Sequence, residues 1–392
     1  MPKRRRICFV TGSRAEFGLM ESTLRAIRSH PGLKLQIIAT GMHLDPTYGK
    51  PLSALFDAGF KPTETVRWSL KAGISPVMYS FAAGSTMTLF GLEYEHLKPH
   101  IVLLVGDRVE IFAAAAAAHL MEIPVAHVHG GDRALGHLDD TLRHVITKLS
   151  HIHFPATKAS AQRLARLGED EWRIKMVGSP GLDGIQKLAA PWSQFARLNP
   201  SLEPRRYAIL LFHPASSDLV REAKVASDLF PEILGAGFDH VVILFPNNDP
   251  GSRGIRFAWA SLEKSLRRDS EMCKCATVVR DLPRPQFLGL LRDAAVLIGN
   301  SSAGIIEAAS FGTPVINIGD RQKGRERNAN VIDVPANAAA IRRALKKVWN
   351  NGRPIRFPKK NIYGSGRTSE KIAHILANIP LDERLRRKLI AY

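Results

Sequence analysis

Short apolar runs that stop abruptly at glycine, histidine or aspartate recur along this chain, with helical patterns between them. "RRICFVTGSRAEFGLMESTLRAIRSH" opens the series. Residues 7–10 are continuously apolar rather than alternating, as in a strand covered on both faces. Leu19, Met20, Leu24 and Ile27 then recur at helical spacing. "LKLQIIATG", "HIVLLVGD" and "IPVAHVHGG" repeat the pattern, and the alanine-rich "EIFAAAAAAHLM" between the last two reads as a tightly packed helix. Strands alternating with helices predict a parallel α/β sheet.

The pattern lapses over residues 179–205, which are rich in Pro, Gly and Ser and read as a domain connection containing a short helix. It restarts with "YAILLFHP", "HVVILFPNND", "AAVLIGNSS" and "TPVINIGDRQ". The expectation is two Rossmann-like, doubly wound domains facing a cleft, at residues 1–180 and 181–367, with 368–392 as a separate C-terminal segment. A length of 392 residues fits two to three domains.

Lys plus Arg number 55 against 36 Asp plus Glu, a formal charge of +19. That excess permits nucleic acid, a membrane surface or an anionic small molecule as partner. Much of it is terminal, in Lys3 to Arg6 and in Arg384, Arg386, Arg387 and Lys388, which reads as solvated tails. Aromatics are not interleaved with the basic residues, which argues against nucleic acid. Of three cysteines, Cys8 stands alone and Cys273 and Cys275 form a C-x-C. That is neither a zinc set nor a disulfide framework, and it fits a reducing cytoplasm. The apolar "ICFV" is too short for a signal peptide, and no run approaches a membrane helix in length.

The densest polar stretch is "HVHGGDRALGHLDDTLRHVITKL", residues 127–149, with four histidines and three aspartates. Its helix is expected to begin near Asp139 or Asp140, with Leu138, Leu142, Val145, Ile146 and Leu149 facing the core. Asp139 and Arg143 are four apart, as are Asp140 and His144, so each pair can meet on the helix surface. A capping aspartate with ordinary surface pairs would explain as much. The preceding loop points further. His127, His129 and Asp132 come from the carboxyl end of a strand, where open α/β sheets bind ligands. "VGDRVE" brings Asp107, Arg108 and Glu110 to the same edge. The spacing matches no familiar metal-ligand pattern, so acid–base chemistry is the better reading.

The second half offers an anion site. Ser301 and Ser302 sit at a helix N-terminus, Glu307 lies one to two turns in, and Arg321 follows the next strand. His213 ends another strand and is expected to face the cleft. Neither G-x-x-x-x-G-K-[ST] nor G-x-G-x-x-G occurs, so a P-loop or ordinary dinucleotide fold is not signalled.

"TGSRAEFG", "GMHLDPTYG", "GDRVEIFA", "HGGDRALGHLDDTLRHVITKLSH", "FHPASSD", "LFPNNDPGS" and "IGNSSAGIIEAASFGTPVINIGDRQKGRE" together resemble the hydrolysing UDP-N-acetylglucosamine 2-epimerases, in order and spacing, over nearly the whole chain. The resemblance implies a glycosyltransferase-B-like fold whose C-terminal helix crosses back to the first domain. It implies conversion of UDP-GlcNAc and water to N-acetylmannosamine and UDP for sialic-acid-type sugars, with no metal or other cofactor, in a dimer or tetramer. By resemblance, nucleotide contacts fall to Arg14, Arg108, His213, Asn247, Ser301, Ser302, Glu307 and Arg321. The catalytic carboxylates are Asp107 and Asp139, with Arg143 and His144 nearby and His213 as general acid at the diphosphate. Non-hydrolysing relatives carry G-T-R-P-E and H-V-E-A-G where this chain has "GSRAEFG" and "HVHGGD". Some members place a catalytic glutamate at the position of His129, and Asp132 takes an acidic family position; both count as candidate catalytic residues. The change fits a modified, UDP- or GDP-linked sugar such as a 2,4-diacetamido-trideoxyhexose. A non-hydrolysing epimerase, a glycosyltransferase and a nucleotide-sugar sensor are the other readings.

Overall fold

The computed structural model describes residues 4–45, 52–68, 76–133, 139–198, 202–246, 251–280, 282–350 and 352–392. Two compact units emerge. The first combines Met1–Arg133, Leu138–Asp183 and Tyr363–Tyr392, and the second is built on Gly184–Ile362.

The sheet of the first unit contains β1 (Arg5–Thr11), β2 (Leu33–Ala39), β3 (Glu64–Thr65), β4 (Ile101–Val105), β5 (Val125–Val128) and β6 (Ile152–Phe154). Their order is β3-β2-β1-β4-β5-β6, all parallel. The second unit holds β7 (Tyr207–Leu211), β8 (His240–Leu244), β9 (Ala276–Val279), β10 (Val296–Gly299), β11 (Val315–Ile318) and β12 (Val331–Val334). Their order, β12-β11-β10-β7-β8-β9, repeats the winding of the first sheet, again parallel. Chain direction across each sheet reverses once, between β1 and β4 and between β7 and β10. In such sheets that reversal opens a crevice beyond the strands' carboxyl ends.

The continuous apolar runs follow from covering both faces. Ile7 and Phe9 of β1 pack with Phe17, Met20, Leu24 and Ile27 of the Arg14–Ser29 helix. Cys8 and Val10 point the other way, toward Phe90, Tyr94 and the alanines of the Val109–Leu120 helix. Ala113, Ala114, Ala115 and Ala118 are wholly buried there, and Tyr94 Oη donates to Ala114 O at 3.2 Å. Methyl side chains let that helix lie close to its neighbours.

The Thr368–Asn378 helix packs against Arg14–Ser29, placing Ile372, Ala373 and Leu376 in the same core. Asp183 caps it, accepting from Thr368 N at 3.0 Å and Ser369 N at 2.6 Å. In the basic C-terminus Arg384, Arg386 and Arg387 keep exposed side chains, as expected, but their backbone is held and Lys388 is not solvated. Arg173 donates to the carbonyls of Arg384, Leu385 and Arg387 at 2.7, 2.8 and 2.9 Å. Lys388 Nζ is a buried counter-ion, 2.6 Å from Glu169 Oε2, and donates to Thr147 O and Ser150 O at 2.9 and 2.7 Å. Carbonyls at a helix end favour a cation, which keeps this one inside.

One glycine of the second unit is dictated by a close approach. Gly299 has φ +137°, and a Cβ there would lie 1.9 Å from Leu211 O, across the reversal between β7 and β10. Gly299→Ala is expected to cost about 3 kcal/mol or more in urea unfolding. Gly84→Ala, in a helix with open space around it, is expected to be neutral or stabilising by about 0.5–1 kcal/mol. Equal midpoints for the two variants would contradict the packing described.

Candidate functional site

Asp107 follows β4 through Gly106, whose φ is +86°. Arg143 reaches it from the Asp139–Leu149 helix: Nη2 donates to Asp107 Oδ2, and Nη1 donates to His129 O at 3.1 Å. Arg143 is only 3 % exposed. A guanidinium so buried must stay paired, because losing a partner leaves an uncompensated charge. The expected Asp140–His144 pair is present at 3.2 Å and half-exposed. Asp139 begins the helix; the placement of its side chain, like Leu138, lies outside what is described. The inward face of this helix differs from the expected one. Ile146 is buried as expected, but Val145 is 37 % exposed, while Arg143 and Thr147 are buried. The helix is turned to present a polar group to Asp107, not its most apolar stripe to the core.

The loop after β5 is polar and closed. His129 Nδ1 lies 3.0 Å from Asp132 Oδ2, and Nε2 lies 3.1 Å from Ser179 Oγ. Ser160 Oγ donates to Asp132 Oδ1 at 2.7 Å. His127, expected at the rim, is instead fully buried within β5, with Nε2 2.8 Å from Gly106 O. Burial pulls its pKa down to about 3, against the opposing hydrogen bond to Gly106. Neutral, it holds the turn that carries Asp107.

At the reversal between β1 and β4 lies a second charged cluster. Ser13 caps the Arg14–Ser29 helix in a capping box with Glu16, and half-exposed Arg14 is the first helical residue. Glu16 Oε2 accepts from Gly12 N at 2.6 Å and Ser13 N at 3.1 Å. Arg108 Nε bonds Glu110 Oε1 and lies 3.9 Å from Glu16 Oε1. The Glu110 carboxylate fills the space a side chain at residue 12 would need: a Cβ on Gly12 would meet it at 2.4 Å. Burial, then the Glu110 charge, push the Glu16 pKa up, with Arg108 opposing.

In the second unit the strand ends at the β7–β10 reversal are tied by one buried amide. Asn300 Oδ1 accepts from His213 N at 2.7 Å, and Nδ2 donates to His213 O at 2.8 Å. The Asn300 carbonyl receives Arg321 Nη1 at 3.2 Å and Gln322 Nε2 at 2.9 Å. His213, Arg321 and the Ser301–Ser302 turn are thus brought to one edge. Ser301 is the N-cap, accepting from Ala303 N at 3.3 Å, of a helix of only five residues, Ser302–Ile306. Glu307 follows it, 7 % exposed, its Oε1 2.6 Å from Arg284 Nη2. Asn247 lies outside the described residues. Among the described residues no group of three or more His, Cys, Asp or Glu is placed to hold a metal ion.

The profile of the UDP-N-acetylglucosamine 2-epimerase family matches residues 25–377. The chain belongs to that family. It is 37 % identical to the UDP-N,N'-diacetylbacillosamine 2-epimerase (hydrolyzing) of Legionella pneumophila, over 99 % of this chain and 100 % of the relative. It is 30 % identical to the UDP-N-acetylglucosamine 2-epimerase of Neisseria meningitidis, over 95 % of each. The solved structure of a Neisseria meningitidis UDP-GlcNAc 2-epimerase bound to UDP-GlcNAc shares its fold, with a TM-score of 0.79 at 19 % identity over 95 % of this chain and 99 % of that one. The two-sheet, glycosyltransferase-B-like architecture is therefore that of this epimerase family.

Sequence reasoning had not reached Glu16, Ser160, Ser179, Arg284, Asn300 and Gln322. Two carried a local signal: Glu16 completes S-x-x-E with Ser13, and Asn300 precedes the capping serine. The others meet the site through contacts between distant segments, which spacing does not encode.

His127 gives this epimerase a defined acid sensitivity. A histidine whose folded pKa lies below its unfolded value contributes stability above about pH 6.5 and loses it as pH falls toward 3. Between pH 6.5 and 5 the wild type is expected to lose about 2 kcal/mol more than His127→Gln, measured by urea unfolding at both pH values. Parallel losses would mean that His127 is not held neutral.

Proposed function

We propose that the chain is a hydrolysing 2-epimerase that releases UDP from a UDP-linked 2-acetamido sugar and inverts C2. The observation that carries this is the Asp107 carboxylate, fixed by buried Arg143 at the end of β4. The hydrolysing activity for which the Legionella relative is named and the "HVHGGD" sequence of the β5 loop support the hydrolysing reaction. Likeness over the full length of that relative favours UDP-N,N'-diacetylbacillosamine as substrate. The Neisseria relative keeps UDP-GlcNAc as the second reading.

The C2 hydrogen of such a sugar is not acidic, since no carbonyl is attached to C2. Departure of the leaving group must lead. The C1–O bond breaks, positive charge develops at C1, and the C2 proton goes to a base, leaving a C1=C2 glycal and UDP. Water then adds its hydroxyl at C1 and a proton reaches C2 on the opposite face, giving the free, inverted sugar. Asp107 or Asp139 stabilises the charge at C1, and one of them takes the C2 proton. His144, paired with Asp140, is available for proton transfer to water. On the second unit His213 is assigned the general-acid role at the departing diphosphate. Arg321, the Ser301–Ser302 turn and, with Arg14 and Arg108, the first unit's basic groups supply charge and N–H donors for the nucleotide. Glu307, held by Arg284, is assigned the ribose hydroxyls. None of these steps calls for a redox group.

Asp107→Asn is expected to lower turnover by about 10²-fold or more while leaving the Kd for UDP within about threefold, by UDP-release kinetics and calorimetry. Comparable loss of both would give Asp107 a folding role instead. Unchanged turnover would remove it from the chemistry.

A further inference from the structure

His129 and Asp132 were both expected to move protons, yet the fold engages their side chains with protein partners. The Asp132–His129–Ser179 contacts at 3.0 and 3.1 Å and the Ser160–Asp132 bond at 2.7 Å form one chain. Its members are nearly inaccessible: Ser179 and Ser160 are 0 and 1 % exposed, Asp132 and His129 3 and 4 %. The order carboxylate, imidazole, hydroxyl is that of a hydrolytic triad, but a Ser179 hydroxyl with no exposure has no path to a substrate. A carboxylate at Nδ1 keeps the ring hydrogen there, and Nε2 then accepts from Ser179. Ser179 is itself anchored, its N–H donating to Tyr363 O at 2.7 Å.

What His129 offers the site is its backbone. Its φ is +63°, a region a non-glycine residue keeps only where its surroundings hold it. The carbonyl so oriented accepts from Arg143 Nη1 at 3.1 Å, and the same guanidinium binds Asp107. We infer that His129 is a positioning residue: the Ser160–Asp132–His129–Ser179 chain clamps its strained backbone, and its carbonyl, through Arg143, fixes the Asp107 carboxylate. The inference rests on the reading of Asp107 as the carboxylate that works on the sugar.

The test compares Ser179→Ala, Ser179→Thr and His129→Asn in UDP-release kinetics across pH. Asn keeps the left-handed backbone accessible but cannot carry a proton as imidazole does. Ser179→Ala is expected to lower kcat about 10- to 100-fold with KM within about threefold, and Ser179→Thr to restore most of it. His129→Asn is expected to keep both limbs of the wild-type pH profile at reduced height. Loss of one limb in His129→Asn, with a fall beyond about 10³-fold, would make His129 a proton carrier and overturn the inference. So would wild-type kinetics in Ser179→Ala. Nitrogen-correlated proton NMR of the histidine rings reads the clamp without turnover. An Nδ1-protonated His129 whose signals move in Ser179→Ala is expected, and a ring indifferent to that change overturns the clamp. If the clamp signals appear but the wild type releases UDP from neither nucleotide sugar, the failure belongs to the functional reading alone.

Discussion

The Arg143 guanidinium is the interaction on which the chemistry proposed for the first unit depends. It joins the end of β4, at Asp107, to the loop after β5, at the His129 carbonyl, from a position almost closed to solvent. Burying that charge is costly, and the Asp107 carboxylate and the His129 carbonyl help make it tolerable. The cost explains why the helix carrying Arg143 leaves Val145 in solvent. It also explains why the His129 backbone is held in a strained conformation. Asn300 plays the matching part in the second unit without a charge, tying His213 to the strand beside it and offering its carbonyl to Arg321 and Gln322.

Both sheets place these groups where the winding reverses or just beside it. The close approaches there are made by residues with little or no side chain. Gly12 leaves room for the Glu110 carboxylate, and Gly299 for the Leu211 carbonyl. Stability is spent locally: Glu16 and Glu110 lie buried near one another and share Arg108, while Glu16 alone accepts from the Gly12 and Ser13 N–H groups. Such expenditure is offset by apolar burial elsewhere, in the doubly covered strands and the alanine-rich helix behind β1 and β4.

Among the described residues eight strands were legible as apolar runs, and they are the inner ones of both sheets: β1, β2, β4, β5, β7, β8, β10 and β11. The four not anticipated, β3, β6, β9 and β12, are the margins of the two sheets. A margin strand pairs on one side and is short, here two to four residues, so it leaves a weak pattern. The places of Asp107, His129, His213 and Ser301 just beyond strand ends were legible, because each follows an apolar run that stops abruptly. It was not legible where a side chain turns away from the expected partner. Arg143 spacing suggested Asp139, but the described contact is with Asp107. Lys388 looked like part of a solvated tail until Glu169 and three helix-end carbonyls claimed it.

The most direct measurement is proton NMR of the purified protein with UDP-N,N'-diacetylbacillosamine, and separately UDP-GlcNAc, in deuterated buffer. Free UDP together with the C2-inverted free sugar, carrying deuterium at C2, is the predicted result for at least one of them. A product still linked to UDP would contradict the hydrolysing reaction, and an inverted sugar retaining its C2 proton would contradict passage through a glycal.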